Sequence, residues 1–155
     1  MKWVKQSIHY WCPDTKEHKF LGQNVTVAIL DTGISPHPDF KGRILSFRDF
    51  SSTTGSSEKV LFSFSHFSPL IDNSGHGTHV AGILAGSGLL SSGTYAGIAP
   101  FCNLIIGKVL DQNGNGSIKN VINGIQWIRD IYTQFHIQII NISVGTRPDL
   151  SIHQK

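Results

Sequence analysis

Three short, largely apolar segments limit what this 155-residue chain can fold into more than any other feature. They span residues 25–30 (VTVAIL), 104–109 (LIIGKV) and 137–144 (IQIINISV). Segments of this length that are rich in β-branched residues are typical of strands buried on both faces of a parallel sheet. We therefore predict three such strands, with a further short strand within residues 43–50.

Helical patterns separate these segments. A helix is predicted from Ser74 or His76 to about Ala85, and a second one after Ser117, whose side chain suits the N-cap position. The apolar residues of the second helix recur at helical spacing: Ile118, Val121, Ile122, Ile125, Ile128 and Ile131. Strands that alternate with helices predict an α/β fold with a parallel sheet and right-handed crossovers.

The composition excludes several classes of protein. With 39% hydrophobic and 15% charged residues, the chain can form the core of one domain. Its formal charge of +3 comes from scattered Lys and Arg residues, which predicts no nucleic-acid surface. No apolar run approaches the roughly 20 residues that span a bilayer, and residues 1–10 lack the apolar core of a secretory signal. We expect a cytoplasmic protein with no membrane partner, in which Cys12 and Cys102 are unpaired thiols.

Asp31 and His76 are the residues with the greatest potential for catalysis. Asp31 follows the first predicted strand, at the edge where the functional groups of parallel α/β sheets gather. His76 lies between Gly75 and Gly77, which allow another backbone to approach the imidazole. Together they make two thirds of a Ser-His-Asp triad, in which the carboxylate orients the imidazole. Taken singly, Asp31 also fits an Asx-turn, and His76 also fits a helix cap or a buried histidine.

Two sequence blocks resemble those of subtilisin-like serine proteases, the subtilase or peptidase S8 family. Residues 27–34 (VAILDTGI), followed by residues 37–40 (HPDF), resemble the aspartate block, and residues 75–82 (GHGTHVAG) resemble the histidine block. Further landmarks of the family follow in the same order, at residues 97–100, 108–110, 123–125 and 140–145. The chain looks most similar to the intracellular bacterial subtilases.

The resemblance implies a parallel sheet with helices on both faces and the activity of a serine-type endopeptidase. Residues 1–24 would form an N-terminal extension. Residues 25–155 would form the N-terminal part of the catalytic domain, with the sheet incomplete on its C-terminal side. Asp31 would orient His76, which would act as general base and then as general acid.

The same resemblance implies a peptide or protein substrate, bound as an extra strand between two exposed backbone edges. Glycines at these edges would leave backbone N–H and C=O groups accessible. The residues expected there are Gly114, Asn115, Gly116, Ser143, Val144 and Gly145.

No cofactor is expected, although Asp39 matches a position at which relatives supply a calcium ligand. Calcium requires several oxygen ligands, and residues 86–92 (GSGLLSS) contain no carboxylate or amide side chain. Asp31, His76 and His79 offer an alternative set of metal ligands. The glycines around His76 favour the protease instead, in which His79 is expected to support the site by packing or hydrogen bonding.

The nucleophile of the triad has no counterpart in these 155 residues. In the family it is the serine of a Gly-Thr-Ser block, whereas the Gly-Thr pairs here are followed by His79, Tyr95 and Arg147. We therefore expect this chain to be inactive alone. The alternatives are a catalytically dead truncated product and a peptide-binding module that does not cleave. Residues 31–33 (DTG) also occur in aspartic proteases, but the helical segments argue against that all-β fold.

Overall fold

A mostly parallel sheet forms the centre of the structure. The computed structural model describes residues 2–10, 20–51, 60–61 and 72–145. Within them the strands are β1 (Thr26–Asp31), β2 (Ile44–Asp49), β3 (Val60–Leu61), β4 (Asn103–Lys108) and β5 (Ile137–Ile142). They lie in the order β3-β2-β4-β1-β5, and all neighbours are parallel except β2 and β3. The predicted α/β fold with a parallel sheet is confirmed, although β5 ends two residues before residue 144.

Three α-helices accompany the sheet in the described part of the chain: α1 (Lys2–Ser7), α2 (His76–Ala85) and α3 (Ile118–Phe135). None of them combines the length and the apolar character needed to cross a membrane. The position of Ser117 before α3 agrees with the prediction, since its hydroxyl accepts a hydrogen bond from the backbone N–H of Asn120 at 3.1 Å. α3 extends one turn beyond Ile131, the last apolar position of the predicted spacing, and the sequence pattern did not predict α1.

α2 and α3 cover opposite faces of the sheet, because successive strand residues point to opposite faces. One face contributes alternate residues of β1 and β4 to a core with α2: Val27, Ile29, Leu104, Ile106, Ala81 and Ala85. The other face contributes the intervening residues to a core with α3: Ala28, Leu30, Ile105, Trp127, Ile128 and Ile131. β1 is hydrogen-bonded on both edges and covered on both faces, and all six of its residues are buried.

β5 forms one edge of the sheet in the described residues, where it pairs with β1. Its side chains Ile139, Ile140 and Ile142 are 52%, 44% and 41% exposed. Folded proteins normally pair, cover or charge an apolar edge of this kind. The free edge of β5 is therefore a surface to which another strand or a covering element could be added.

The chain ahead of β1 is hydrogen-bonded to the rest of the domain, for example at Tyr10 and Leu21. The hydroxyl of Tyr10 donates to the carbonyl oxygen of Ile98 at 2.7 Å, and the carbonyl oxygen of Leu21 accepts from the backbone N–H of Phe101 at 2.9 Å. Residues 11–19, with Cys12, and residues 146–155 lie outside the described residues. The boundary of the N-terminal extension at residue 24 stays a prediction.

Candidate active site

Asp31 is the last residue of β1, and its side chain is completely buried. Its Oδ1 accepts a hydrogen bond from the backbone N–H of Thr32 at 2.7 Å. Its carbonyl oxygen accepts from the backbone N–H of Val109 at 2.9 Å, so the end of β1 is tied to the end of β4. The rigid central strand therefore fixes the position of the carboxylate.

His76 is the first residue of α2, and its Nδ1 lies 2.7 Å from Oδ1 of Asp31. The histidine side chain is 52% exposed, in contrast to the buried carboxylate. The hydrogen bond to Asp31 and the negative charge of that carboxylate raise the pKa of His76, because both favour the imidazolium. Since a carboxylate can only accept, the proton of the neutral imidazole resides on Nδ1. Nε2 then keeps the lone pair that a general base needs.

Glycine at position 77 allows α2 to begin close to the end of β1. A Cβ atom there would overlap the carbonyl oxygen of Gly33 and would lie 3.2 Å from Cβ of Asp31. A larger residue would therefore push the helix, and His76 with it, away from Asp31. Gly75 precedes the helix with a φ of 82°, a left-handed conformation that glycine adopts without strain.

The carboxylate of Asp72 connects the same two elements. Its Oδ1 accepts from the hydroxyl of Thr32 at 2.8 Å and from the backbone N–H of Gly75 at 2.9 Å. Its Oδ2 accepts from the backbone N–H of Thr78 at 2.8 Å and from the Thr78 hydroxyl at 2.5 Å. The sequence reasoning missed this role. The available signal was a carboxylate located three residues before a glycine that precedes a helix.

Lys108, the last residue of β4, is also buried. Its ammonium group donates to the carbonyl oxygen of Thr32 at 2.5 Å and to that of Leu110 at 2.9 Å. These two bonds join the backbone after β1 to the backbone after β4. Lys108 therefore supports the loop that follows Asp31, a role that its place in a family landmark did not reveal.

The first expected substrate edge, Gly114 to Gly116, is exposed, but part of its backbone is engaged. The backbone N–H of Gly114 donates to the carbonyl oxygen of Asp111 at 3.1 Å, and the carbonyl oxygen of Asn115 accepts from the N–H of Asp111 at 2.7 Å. The Asp111 carboxylate accepts from the N–H of Asn115 at 2.9 Å. Asp111 thus organises this turn, and a substrate strand here would have to use other backbone groups. The binding role of these residues stays a prediction.

The second expected edge, Ser143, Val144 and Gly145, directly follows β5 and is exposed. The side-chain amide of Asn141 donates to the hydroxyl of Ser143 at 3.0 Å. Because β5 and β4 both border β1, with their carboxyl ends at the same edge of the sheet, this segment and the Asp111 turn lie at that edge. Whether they bind a peptide between them also stays a prediction.

His79 is exposed on α2 and lines a shallow groove with His37, Phe40, Ile83 and Tyr95. It does not take part in the Asp31–His76 contact, which differs from the expected role of supporting the site. Among the described residues, no group of three His, Cys, Asp or Glu side chains is placed to hold a metal ion. The arrangement thus lends no support to a metal site built from Asp31, His76 and His79.

The contacts of Asp39 do not fit a calcium ion. Its carboxylate accepts backbone N–H groups from the loop after α2, from Gly88 at 3.0 Å and from Leu90 at 3.4 Å. The carbonyl oxygen of Gly88 accepts from the N–H groups of Ser91 and Gly93 at 3.0 and 2.9 Å. A calcium ion needs oxygen atoms that converge on it, whereas here N–H groups point at the carboxylate.

A guanidinium group binds the backbone carbonyls around this loop. Arg43 donates to the carbonyl oxygen of Cys102 at 2.9 Å, to that of Ala85 at 2.6 Å, and to that of Asp39. Ala85 ends α2, where the helix dipole favours a positive charge. Arg43 therefore joins the end of α2, the turn at Asp39 and the segment before β4 with a fixed cation.

These features define an α/β protein in which a buried aspartate at a strand end contacts an exposed histidine at a helix start, an arrangement suited to acid–base catalysis. The chain belongs to the subtilase family of peptidases, because the family model for peptidase S8 (subtilase family) matches residues 22–154. The Cα fold is similar to that of the CspB protease of Clostridium perfringens, with a TM-score of 0.74 at 24% identity over 93% of this chain and 34% of that one.

Curated relatives show the same family at higher identity. The chain is 47% identical to the serine protease AprX of Bacillus subtilis over 106 residues. The aligned region covers 68% of this chain and 21% of AprX. It is 37% identical to the major intracellular serine protease of Bacillus subtilis over 131 residues. This aligned region covers 83% of this chain and 36% of that protein. The chain thus spans about a fifth to a third of the length of these relatives.

Replacing Asp31 by asparagine should lower the pKa of His76, because the amide carries no charge to stabilise the imidazolium. An NMR titration of His76 in the Asp31→Asn variant measures the change. The matched control is Asp130→Asn on α3, which removes a 64% exposed carboxylate on the other side of the sheet. A His76 titration that is the same in Asp31→Asn as in the original protein would contradict the interpretation of the contact.

The sign of the linked effect on stability follows from the raised pKa. Protonation of His76 stabilises the fold at pH values below its ordinary pKa of 6.5, and this contribution is lost as the pH rises through the raised value. In Asp31→Asn the free energy of unfolding should therefore depend less on pH in that window. Denaturant unfolding at a series of pH values tests the slope.

Proposed function

We propose that this chain is the N-terminal part of a serine endopeptidase of the subtilisin family, with Asp31 and His76 as its acid–base pair. The observation that carries the proposal is the 2.7 Å contact between a buried carboxylate and an exposed imidazole. The imidazole is half exposed and its orienting partner is completely buried, so the histidine can meet a substrate while the carboxylate keeps a fixed position.

His76 would take the proton of a serine hydroxyl through Nε2 and then give it to the leaving amine. Asp31 would hold the Nδ1–H tautomer and stabilise the imidazolium that forms between the two transfers. The raised pKa of His76 supports this role, since it reports a stabilised imidazolium. The serine would come from outside residues 1–155, because no serine within them follows a Gly-Thr pair.

The exposed edge of β5 supports a position beside it for the part of the protein that would carry the serine. Its exposed isoleucines lie on the side of the sheet away from β4, next to the expected substrate edge at residues 143–145. A further parallel strand that pairs with β5 would bury them. That strand would bring its carboxyl end to the edge of the sheet that holds Asp31 and the nearby His76.

The substrate would be a peptide or protein that binds between the Asp111 turn and residues 143–145. A cytoplasmic location is the second part of the proposal. The similarity to a protein named as an intracellular protease supports it, as does the free, buried thiol of Cys102. Fractionation of cells that produce this chain, followed by immunoblotting, tests the location, and recovery in the medium would contradict it.

Residues 1–155 alone should neither cleave casein nor react with a fluorophosphonate probe, because they lack the nucleophile. A fusion of this chain with the downstream part of AprX should do both. In the fusion, His76→Ala should lower the rate of hydrolysis by roughly 10⁴-fold or more, while His136→Asn, at an exposed histidine of the α3 C-terminus, should leave it unchanged.

Three results would contradict parts of the proposal. Strong labelling of residues 1–155 alone would show that they contain a nucleophile. Casein cleavage by the fusion that survives His76→Ala would show that His76 is not the base. If the fusion folds, binds peptide and cleaves nothing, the chain is a peptide-binding module instead.

We also propose that Arg43 and Asp39 stabilise the loop after α2 without calcium. Arg43→Met should lower the free energy of unfolding by about 2 kcal/mol or more, since three carbonyl groups lose a charged donor. The matched control Arg129→Met removes a 72% exposed guanidinium and should stay within about 0.5 kcal/mol. The melting temperature of the unchanged chain should be the same in calcium and in EGTA. A higher value in calcium would show a bound ion and overturn the proposal.

A further inference from the structure

We infer that Asp72 is a positioning residue for the catalytic pair: its carboxylate locks the end of β1 to the start of α2, so that His76 meets Asp31. The inference rests on the proposed role of Asp31 and His76. Asp72 itself contacts neither of the two side chains, and it acts through the residues next to them.

The hydrogen bonds of Asp72 come from both elements. From β1, the donor is the hydroxyl of Thr32, the residue that follows Asp31. From the start of α2, the donors are Gly75, just before His76, and Thr78, two residues after it. The four bonds fill the acceptor sites of a carboxylate that is only 9% exposed. Asp72 thus holds the backbone on both sides of His76 and the side chain of the residue next to Asp31.

The Thr32 hydroxyl extends this connection. While it donates to Asp72, it accepts a hydrogen bond from the backbone N–H of Gly77 at 2.9 Å. Gly77 is the residue that packs against the end of β1. One hydroxyl therefore bridges Asp72 and the first turn of α2, and the backbone N–H of Ser35 adds a further bond to the Thr78 hydroxyl at 2.9 Å.

An ordinary helix cap does not make such contacts. Ser117 caps α3 through the N–H of Asn120, which belongs to the helix that follows it. Asp72 accepts capping bonds from Gly75 and Thr78 and, in addition, a bond from Thr32, just after the end of β1. That bond, together with the one from Gly77 to the Thr32 hydroxyl, restricts the movement of α2 relative to the end of β1. A displacement of about 1 Å is enough to weaken a 2.7 Å hydrogen bond severely.

The ionisation of Asp72 suits a fixed structural role. Burial raises the pKa of its carboxyl group, but the hydrogen bonds from Thr78, Thr32 and Gly75 outweigh burial and leave the pKa below its ordinary value. The group is thus a carboxylate at neutral pH. Its charge lies at the positive N-terminal end of α2 and adds to the effect of Asp31 on the pKa of His76.

The test compares variants that separate positioning from capping. Asp72→Asn removes the charge and replaces one acceptor by a donor. Thr32→Val removes the bridging hydroxyl at almost constant shape, and Thr32→Ser retains the hydroxyl. Ser117→Ala, which removes a cap from α3, is the control for a purely structural loss of stability.

Two NMR observables of His76 report on its contact with Asp31 directly. One is the pH titration of the imidazole, and the other is the downfield signal of the Nδ1 proton in the hydrogen bond to the carboxylate. Asp72→Asn and Thr32→Val should lower the pKa of His76 towards its value in Asp31→Asn and should weaken the Nδ1 signal. Thr32→Ser should restore both observables. Ser117→Ala should reduce the stability to unfolding and leave both unchanged.

Some results would overturn the inference. If Asp72→Asn is destabilised but its His76 titration and Nδ1 signal match those of the original protein, Asp72 is only a helix cap. If Asp72→Asn does not fold, Thr32→Val provides the test instead. A His76 titration and an Nδ1 signal in that variant that match those of the original protein would show that Asp72 does not position His76. These measurements do not require hydrolysis, so their failure is distinguishable from the absence of protease activity in the fusion.

Discussion

The burial of β1 between two strands and two helical layers is the constraint on which the rest of the structure depends. A strand that is paired on both edges and packed on both faces has almost no freedom to shift, because a slip of one residue would exchange its two faces. Asp31 is the last residue of that strand. Its carboxylate consequently has a fixed position, and the neighbouring elements must adapt to it: α2 through Gly77, and β4 through Lys108 and Val109.

The sequence predicted the parts of this arrangement that depend on periodicity and on local turn chemistry. The apolar segments became β1, β4 and β5, the helical spacing after Ser117 became α3, and the blocks around Asp31 and His76 came together at 2.7 Å. These features depend on neighbours in the chain, on the alternation of strand faces, and on known sequence blocks. For this reason a single sequence was enough to predict them.

The residues that the sequence did not reveal act over long separations in the chain. Asp72 binds Thr32, forty residues away, and Arg43 binds carbonyl groups at Ala85 and Cys102. A local pattern could have indicated the cap bonds of Asp72, but no local pattern marks a polar residue as the partner of a group that is distant in the chain. The turn at Gly114 and Asn115 shows a related limit. Its glycines suggested free backbone groups, but Asp111 uses several of them.

Two carboxylates lie near His76, and their environments give them different roles. The four donors of Asp72 satisfy both of its oxygens, so it can accept little more and serves as a fixed anchor. Oδ1 of Asp31 contacts Nδ1 of His76 and accepts one further hydrogen bond, from the backbone N–H of Thr32. Its buried Oδ2 has no hydrogen-bond partner among the described residues. The imidazolium would therefore gain most from Asp31, the carboxylate whose charge is least compensated by other donors. A histidine next to Asp72 alone would share that carboxylate with four other donors.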